Sequence, residues 1–596
     1  MAEASLPMQP KTSGRDSLVR KLAVVRGGWA LLVWPAFAYL LLVYVVPAGF
    51  ILRESILLPQ FGLQNFSRAL LSPGYSAVGL RTLSTALGAT TLTLLFAYPI
   101  AYFMSTTRGF TQRLLIIAVI SPYLTSSLVR TFAWEVLLSK FGLVTRALQL
   151  LGVSPAELLF TQTAVIIGLV QVLLPAMVLI LFSVMRGIDQ RTIRAARSLG
   201  ASPARSFFRV FLPLSVPGIE AGCILTFVFA IGSFVIPAIL GGQKGTMYGV
   251  IIEVAIDQFA DWGFASATAL VLALAVVAAL IAYRRLMAGN VEWLANPEQV
   301  GTVSRSARGS YRPKIGLLRS LGDAIATFLD WTTVTRHRWP LVAFSIVTAA
   351  FLVLPQLISV PISLASTRAL VFPPVGLSFQ WYANFMNPNW LGPTATSIGV
   401  AAMTAVAATL LGGLAAVGVV RGVGPRMAGP LTVFFILPLL VPSIVSVVGI
   451  YIVFLYAHLT DTIQGFVLAD TALGIPGAFI VLSASIRALD PAFERAAASL
   501  GAGRWTVLRR IVLPLIKPAV IVSLFFTFLA SFDEVVVAVF LSGFRITTLP
   551  ARMYEAIQFD QDPTIGVVAT LSILVSIVVL IGSARFRGLV VARELS

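Results

Sequence analysis

Residues 185–217 read MRGIDQRTIRAARSLGASPARSFFRVFLPLSVP, and residues 486–518 read IRALDPAFERAAASLGAGRWTVLRRIVLPLIKP. The two stretches share Arg186/Arg487, Asp189/Asp490, Arg194/Arg495, Ala195/Ala496, Ala196/Ala497, Gly200/Gly501 and Leu212-Pro213/Leu513-Pro514, all at one offset of 301 residues. A constant offset over such a length marks a duplicated unit. Each copy also specifies its own local structure. Asp189 and Asp490 are placed to cap a short helix, and Pro491 occupies a first helical position, where its missing N–H costs nothing. Gly200 and Gly501 follow about three turns later, where a left-handed residue ends a helix. Ser202-Pro203 offers a second cap and first position, and the second short helix is expected to end near Leu212-Pro213 and Leu513-Pro514. The product is a helix-turn-helix knob, small and alanine-lined on one side and ringed by arginines, present twice.

What flanks the knobs is apolar. The 596 residues are 58% hydrophobic and 11% charged, against about 25% charged in soluble domains. Runs near 20 apolar residues recur too continuously for the alternating strands of a barrel. The spans expected are 29–52, 83–106, 112–137, 161–185, 216–240 and 263–285, then 339–363, 394–420, 429–456, 471–486, 519–541 and 564–584. The fold class is therefore an all-α membrane protein of about twelve helices in two six-helix repeats. An even number of spans per repeat makes the two copies parallel in the membrane.

The organisation expected is a leader (1–28), a first six-helix domain (29–285), a basic linker (286–338), a second six-helix domain (339–584) and a tail (585–596). Within the linker, 315–329 reads either as an amphipathic surface helix or as solvated chain. Most of the 43 Lys and Arg fall in segments that are cytoplasmic if the N-terminus is inside, so both termini are placed inside. The net charge of +19 belongs to that topology, and no nucleic-acid partner is expected. A single cysteine, Cys223, and two histidines, His337 and His458, exclude a disulfide framework and a thiolate or imidazole metal cluster. No metal site is expected, and no acid–base set suggests catalysis.

The spacing Ala-Ala, three residues, Gly, nine residues, Val or Ile, one residue, Leu-Pro resembles the EAA loop of binding-protein-dependent ABC importer permeases, and both copies lie between the fourth and fifth spans of their half. That family has the type I permease fold. The resemblance implies that Arg194, Ala195, Ala196, Gly200, Leu212 and Pro213, with Arg495, Ala496, Ala497, Gly501, Leu513 and Pro514, form loops coupling the spans to a cytoplasmic ATPase. Arg194 and Arg495 stand where the family's usual Glu precedes Ala-Ala. SPYLTSSLVRTFAWEVLL (121–138) and FAIGSFVIPAILGGQKGTMYG (229–249) look like the first permease of spermidine/putrescine-type importers. LSFQWYANFMNP (377–388) and FLASFDEVVVAVFLSG (528–543) are similar to the second. The chain thus resembles a natural fusion of the two permease subunits. Branches carrying ferric iron, thiamine, phosphonate or opine share the pattern.

The resemblance implies two copies of an ABC ATPase, an extracytoplasmic substrate-binding protein, and no cofactor bound directly, ATP-Mg residing on the partner subunits. Consistently, no Gly-x-x-x-x-Gly-Lys-Ser/Thr loop occurs, so the chain has no phosphate cradle of its own. Asp533 and Glu534 fall inside an otherwise apolar span, where carboxylates are costly and belong to a bundle interior or a water-filled path. With the aromatics Trp134 and Tyr123, and more weakly Glu135, they are candidates for a path taking an ammonium-bearing substrate. The competing reading pairs the acids with a cation such as Arg130. Outer-loop acids Glu253, Asp257, Asp261, Glu555, Asp560 and Asp562 are candidates to meet a basic partner. An ion-coupled secondary transporter also shows two six-helix repeats, but has no use for a matched pair of capped knobs.

Overall fold

In lipid an apolar segment satisfies its backbone by closing it within a helix, and the computed structural model is mainly helical in every expected span. The described residues are 28–152, 157–287, 339–368, 372–560, 562–575 and 577–578. The leader before Gly28, the linker beyond Met287 with its 315–329 segment, and the tail lie outside them. The first half runs α1 (Ala30–Leu57), α2 (Gln64–Leu71), α3 (Pro73–Thr106), α4 (Phe110–Tyr123), α5 (Ser127–Leu138), α6 (Gln162–Arg186), α7 (Gln190–Ser198), α8 (Pro203–Ile231), α9 (Val235–Leu240), α10 (Tyr248–Asp257) and α11 (Trp262–Met287). The second half repeats the order: α12 (Trp339–Ser363), α13 (Gln380–Phe385), α14 (Pro388–Gly422), α15 (Pro425–Leu440), α16 (Ser443–Tyr456), α17 (Ile463–Ala488), α18 (Pro491–Ser499), α19 (Arg504–Phe532), α20 (Val535–Leu541), α21 (Leu549–Glu555) and α22 (Thr564–Val575). Each element of one half matches the one eleven numbers away.

Among the described residues nine helices are long and apolar enough to span a membrane, and α22 is a shorter apolar helix. The third span of each half is not the single rod expected from 112–137 and 429–456. The chain bends by 95° between α4 and the segment beginning at α5, and by 92° between α15 and α16. Prolines sit at both breaks, Pro122 and Pro442, where they withdraw a backbone donor and obstruct the preceding turn. The fifth spans differ from expectation too. Neither 216–240 nor 519–541 is continuous, because α8 ends at Ile231 before Gly232 and α19 ends at Phe532 before Asp533. The two acids therefore lie in the break between two apolar helices, Asp533 just after α19 and Glu534 as the N-cap of α20, instead of interrupting the middle of one.

Each half centres on three helices in mutual contact, α3, α6 and α8 or α14, α17 and α19. Small residues allow the close approach: a Cβ on Gly412 would stand 2.8 Å from the Ala478 Cβ. The small residues from Gly412 to Gly418 serve this helix packing. The first span of each half packs on the other half. Helix α1 lies on α14 and α16, with Tyr39 donating to the Leu468 carbonyl at 2.7 Å and the Tyr44 hydroxyl 3.0 Å from Ser446 Oγ. At Gly422 the backbones approach so closely that a Cβ would meet Ala30 N at 2.3 Å. Reciprocally, α12 lies on α3, α4 and α5, and Gln171 of α6 donates to the Leu352 carbonyl.

Candidate functional site

The knobs form as their residues dictate. Asp189 Oδ1 accepts from Arg191 N and Asp490 Oδ1 from Ala492 N, both at 2.8 Å, capping α7 and α18. Gly200 and Gly501 take φ of +86° and +81°, a region where a side chain is strained. The chain then closes with Gly200 N on the Arg197 carbonyl and Ala201 N on that of Ala196, matched by Gly501 on Ala498 and Ala502 on Ala497. This doubled bond satisfies the last carbonyls of the helix. Neither α7 nor α18 contains a buried residue, and Leu199 and Leu500 are each 88% exposed.

The second element of the knob does not stop at Leu212-Pro213 or Leu513-Pro514. Helices α8 and α19 run through both prolines without interruption. A widened turn precedes each one: Leu212 N donates to the Phe207 carbonyl and Leu513 N to that of Leu508, five residues back. Such a π-turn moves the preceding carbonyls out of register with the proline ring, removing the clash that would end an ordinary α-helix. The knob is thereby joined rigidly to the fifth span. Displacement of α7 or α18 can be carried along one rod to the break at Gly232 or Asp533.

At those breaks the halves cross. In one crossing the Asp533 carboxylate reaches α5 of the first half, accepting from Ser126 Oγ at 2.5 Å and from Ser127 N at 3.0 Å. A carboxylate there meets the unpaired N–H groups and positive end of the helix dipole. In the other, Gly232 lies against Pro442 at the start of α16, where an added Cβ would stand 2.3 Å from the proline Cβ. Arg130, the fourth residue of α5, is buried, and it donates to the Val172 carbonyl at 3.4 Å. It forms no ion pair with Asp533 among the described residues.

The other candidates separate. Glu534 turns into its own half, where Oε1 accepts from Val536 N at 3.1 Å and the side chain faces Asp470 and Ser531. Tyr123 ends α4 beside this crossing and is about half exposed. Trp134 is buried and packs against Phe351 of α12 with ring centroids 5.3 Å apart, while Glu135 Oε2 has no protein hydrogen bond. Neither hydrogen-bonds Asp533, whose partners are Ser126 and Ser127. Several outer acids are committed internally: Asp261 to Arg68 at 2.6 Å, Asp560 and Glu555 to Arg552, and Asp562 to Asn384 and Thr564. Glu253 and Asp257 remain, and burial, with Asp257 nearby, pushes the Glu253 carboxyl up to about 7.

Sequence reasoning missed Ser126 and Ser127, whose role needs the bend. It missed Asp470, a lone acid just ahead of an expected span. It also missed Arg421, which ties α14 to the second knob through Glu494 at 2.9 Å and the carbonyls of Ile486 and Leu489. An arginine beside a run of glycines was the available signal.

Comparison with known proteins follows this duplicated plan. A family model described as binding-protein-dependent transport system inner membrane component matches residues 89–288 and again 408–587. The spermidine/putrescine transport system permease protein PotB of Escherichia coli is 37% identical over 262 residues, covering 43% of this chain and 94% of that protein. The corresponding PotC protein of Haemophilus influenzae is 30% identical over 243 residues, covering 40% of this chain and 93% of its own. Among solved structures, a bacterial ABC transporter involved in alginate import overlays 46% of this chain with a TM-score of 0.36 and 17% identity.

Proposed function

This chain belongs to the binding-protein-dependent transport system inner membrane component family, two units of which it joins in one polypeptide, and from that premise we propose that it forms the whole membrane path of an ATP-driven polyamine importer. It sits in a bacterial inner membrane with both termini and both knobs in the cytoplasm. Each knob docks on one copy of an ABC ATPase, which holds the ATP-Mg, and a substrate-binding protein delivers cargo at the opposite face.

The observation that carries this reading is the pair of knobs. They share caps, a left-handed glycine, a fully exposed leucine and a π-turn that fuses each knob to a span. One exposed leucine alone would mean little; its recurrence at the same place in two matched, charged knobs supports docking there. Closure of the two ATPase subunits would drive α7 and α18 together, turn α8 and α19 as levers, and reopen the crossings at Gly232 and Asp533. Access to the path then alternates between the two faces. A cationic cargo is supported by the similarity to spermidine/putrescine permeases and by Asp533 at the crossing, where an anion would be repelled.

The test is purification of the chain from its native membrane in mild detergent, with mass spectrometry of bound proteins. The expected result is a Walker-motif ATPase at two copies per chain, together with a binding protein whose polyamine affinity is then measured. Absence of any ATPase after crosslinking at 189–200 and 490–501 would move the assignment to an ion-coupled carrier. A binding protein selective for iron, thiamine, phosphonate or opine would keep the importer and replace the cargo.

A further inference from the structure

Duplication supplies an internal control for every buried polar group. Thr161 and Thr462 cap α6 and α17 in the same way, so the 301-residue register holds along these helices. In that register Asp470 stands where the first half has Leu169, Ser531 where it has Ala230, and Glu534 where it has Ser233. The first-half version is closed: Leu169 and Ala230 are buried in the apolar core. In the second half the same place opens into two adjoining cavities, of about 60 Å³ and about 10 Å³, that share Asp470, Ser531 and Glu534.

The polar side chains of the larger cavity offer acceptors: Asp470 and Glu534 are carboxyl groups, and the Thr527 hydroxyl is spent donating to the Ser523 carbonyl. Asp470 is 5% exposed, and its Oδ1 has no protein hydrogen bond although Oδ2 accepts from Ser531 Oγ at 2.5 Å. That bond uses the serine proton, leaving Ser531 with no donor to offer. Thr548, also buried, lines the smaller cavity with an unpartnered Oγ1. Neither Asp470 nor Glu534 forms an ion pair among the described residues, and the nearest charged neighbour of the pair, Asp533, is turned away onto α5. Two carboxylates inside an apolar bundle are costly unless they serve a ligand or a proton, and every hydrogen-bonding group needs its partner in such a place.

We propose that Asp470, Glu534 and Ser531 form a binding site for the ammonium group of a primary amine. An –NH3⁺ carries three donors and no acceptor, the complement of these walls. The larger cavity, about 60 Å³, accepts the head and one or two methylene groups, not a whole polyamine, so one end of the amine enters and the rest stays outside it. As a subsite for transported cargo this rests on the importer reading. As a site for an amine head it does not.

The experiment uses the full chain with its bound ATPase in lipid nanodiscs. Binding of methylammonium and of 1,4-diaminobutane is followed by calorimetry and by the infrared carboxylate bands, against potassium and sodium controls. Both amines are expected to bind and to shift carboxylate bands that Asp470→Asn removes. Asp470→Asn and Glu534→Gln should each weaken diaminobutane at least tenfold while the ATPase stays bound. The mirror variant Leu169→Ala should leave amine affinity within twofold. Unchanged affinity and bands in both acid variants would overturn the site, as would equal saturation by potassium. If the wild-type complex imports some other solute but Asp470→Asn still loses methylammonium binding, the cargo reading fails and the site stands. If diaminobutane is imported with the same KM by Asp470→Asn, the site fails and the importer stands.

Discussion

The two crossings sit at matched positions and are built oppositely. One is a glycine pressed on a proline, Gly232 against Pro442; the other is a carboxylate capping a helix, Asp533 on Ser126 and Ser127. At the far end of the same two rods the halves agree closely, in cap, left-handed glycine, exposed leucine and π-turn. A duplicated machine keeps its likeness where both copies do the same work. It loses that likeness at the two crossings, where each half faces the other.

The comparison is broken hardest at the like ends. Proline cannot take the positive φ of Gly200 or Gly501, so Gly200→Pro or Gly501→Pro is expected to lower uptake at least about a hundredfold (~2.7 kcal/mol) while the protein still inserts. Uptake into vesicles beside ATPase retention on the purified chain measures this, and an effect confined to one glycine would show the knobs to be inequivalent. At the unlike ends, Asp533→Asn should reduce uptake of a cationic substrate by about tenfold, near 1.4 kcal/mol, with ATPase still bound. Its counterpart Gly232→Ala acts on stability instead: the methyl collides with Pro442 and should cost about 1–3 kcal/mol, seen as a lower thermal midpoint.

Smaller effects sharpen the contrast. Arg421→Ala unpairs Glu494 and leaves two carbonyls without their donor. ATPase affinity is expected to fall severalfold, at about 1–2 kcal/mol, with crosslinking lost at the second knob before the first. Glu253 lies outside the spans and holds its proton up to about 7 against an ordinary 4.5. Its stabilising contribution is therefore complete below about pH 4.5 and lost as pH rises through about 7. Glu253→Gln should flatten that slope in a thermal-shift series by a degree or two.

Much of this plan could be read from residues alone. Apolar length located the spans, and Asp189, Gly200 and their partners wrote out the knobs, because caps and left-handed turns are decided within a few residues. What escaped needed tertiary neighbours. Pro213 and Pro514 read as helix stops, yet a single widened turn accommodates each ring. Pro122 and Pro442 gave no hint of a near right-angle bend, since proline inside an apolar run is compatible with a mild kink. Asp470 is one acid among apolar residues and gains its meaning only when Glu534 and Ser531 face it from other helices. The crossing of α1 onto the opposite half leaves no local mark at all.

That last feature sets a timetable. Helix α1 leaves the ribosome first, but the surface it belongs on, around Gly418 and Gly422, is made some 360 residues later. At about 5–20 residues per second, the first span waits on the order of 20–70 s in the bilayer without its final partner. Helix α1 meets α11 of its own half earlier, so only this crossing waits, and carrying both halves on one chain ensures that the arriving half is always the correct one.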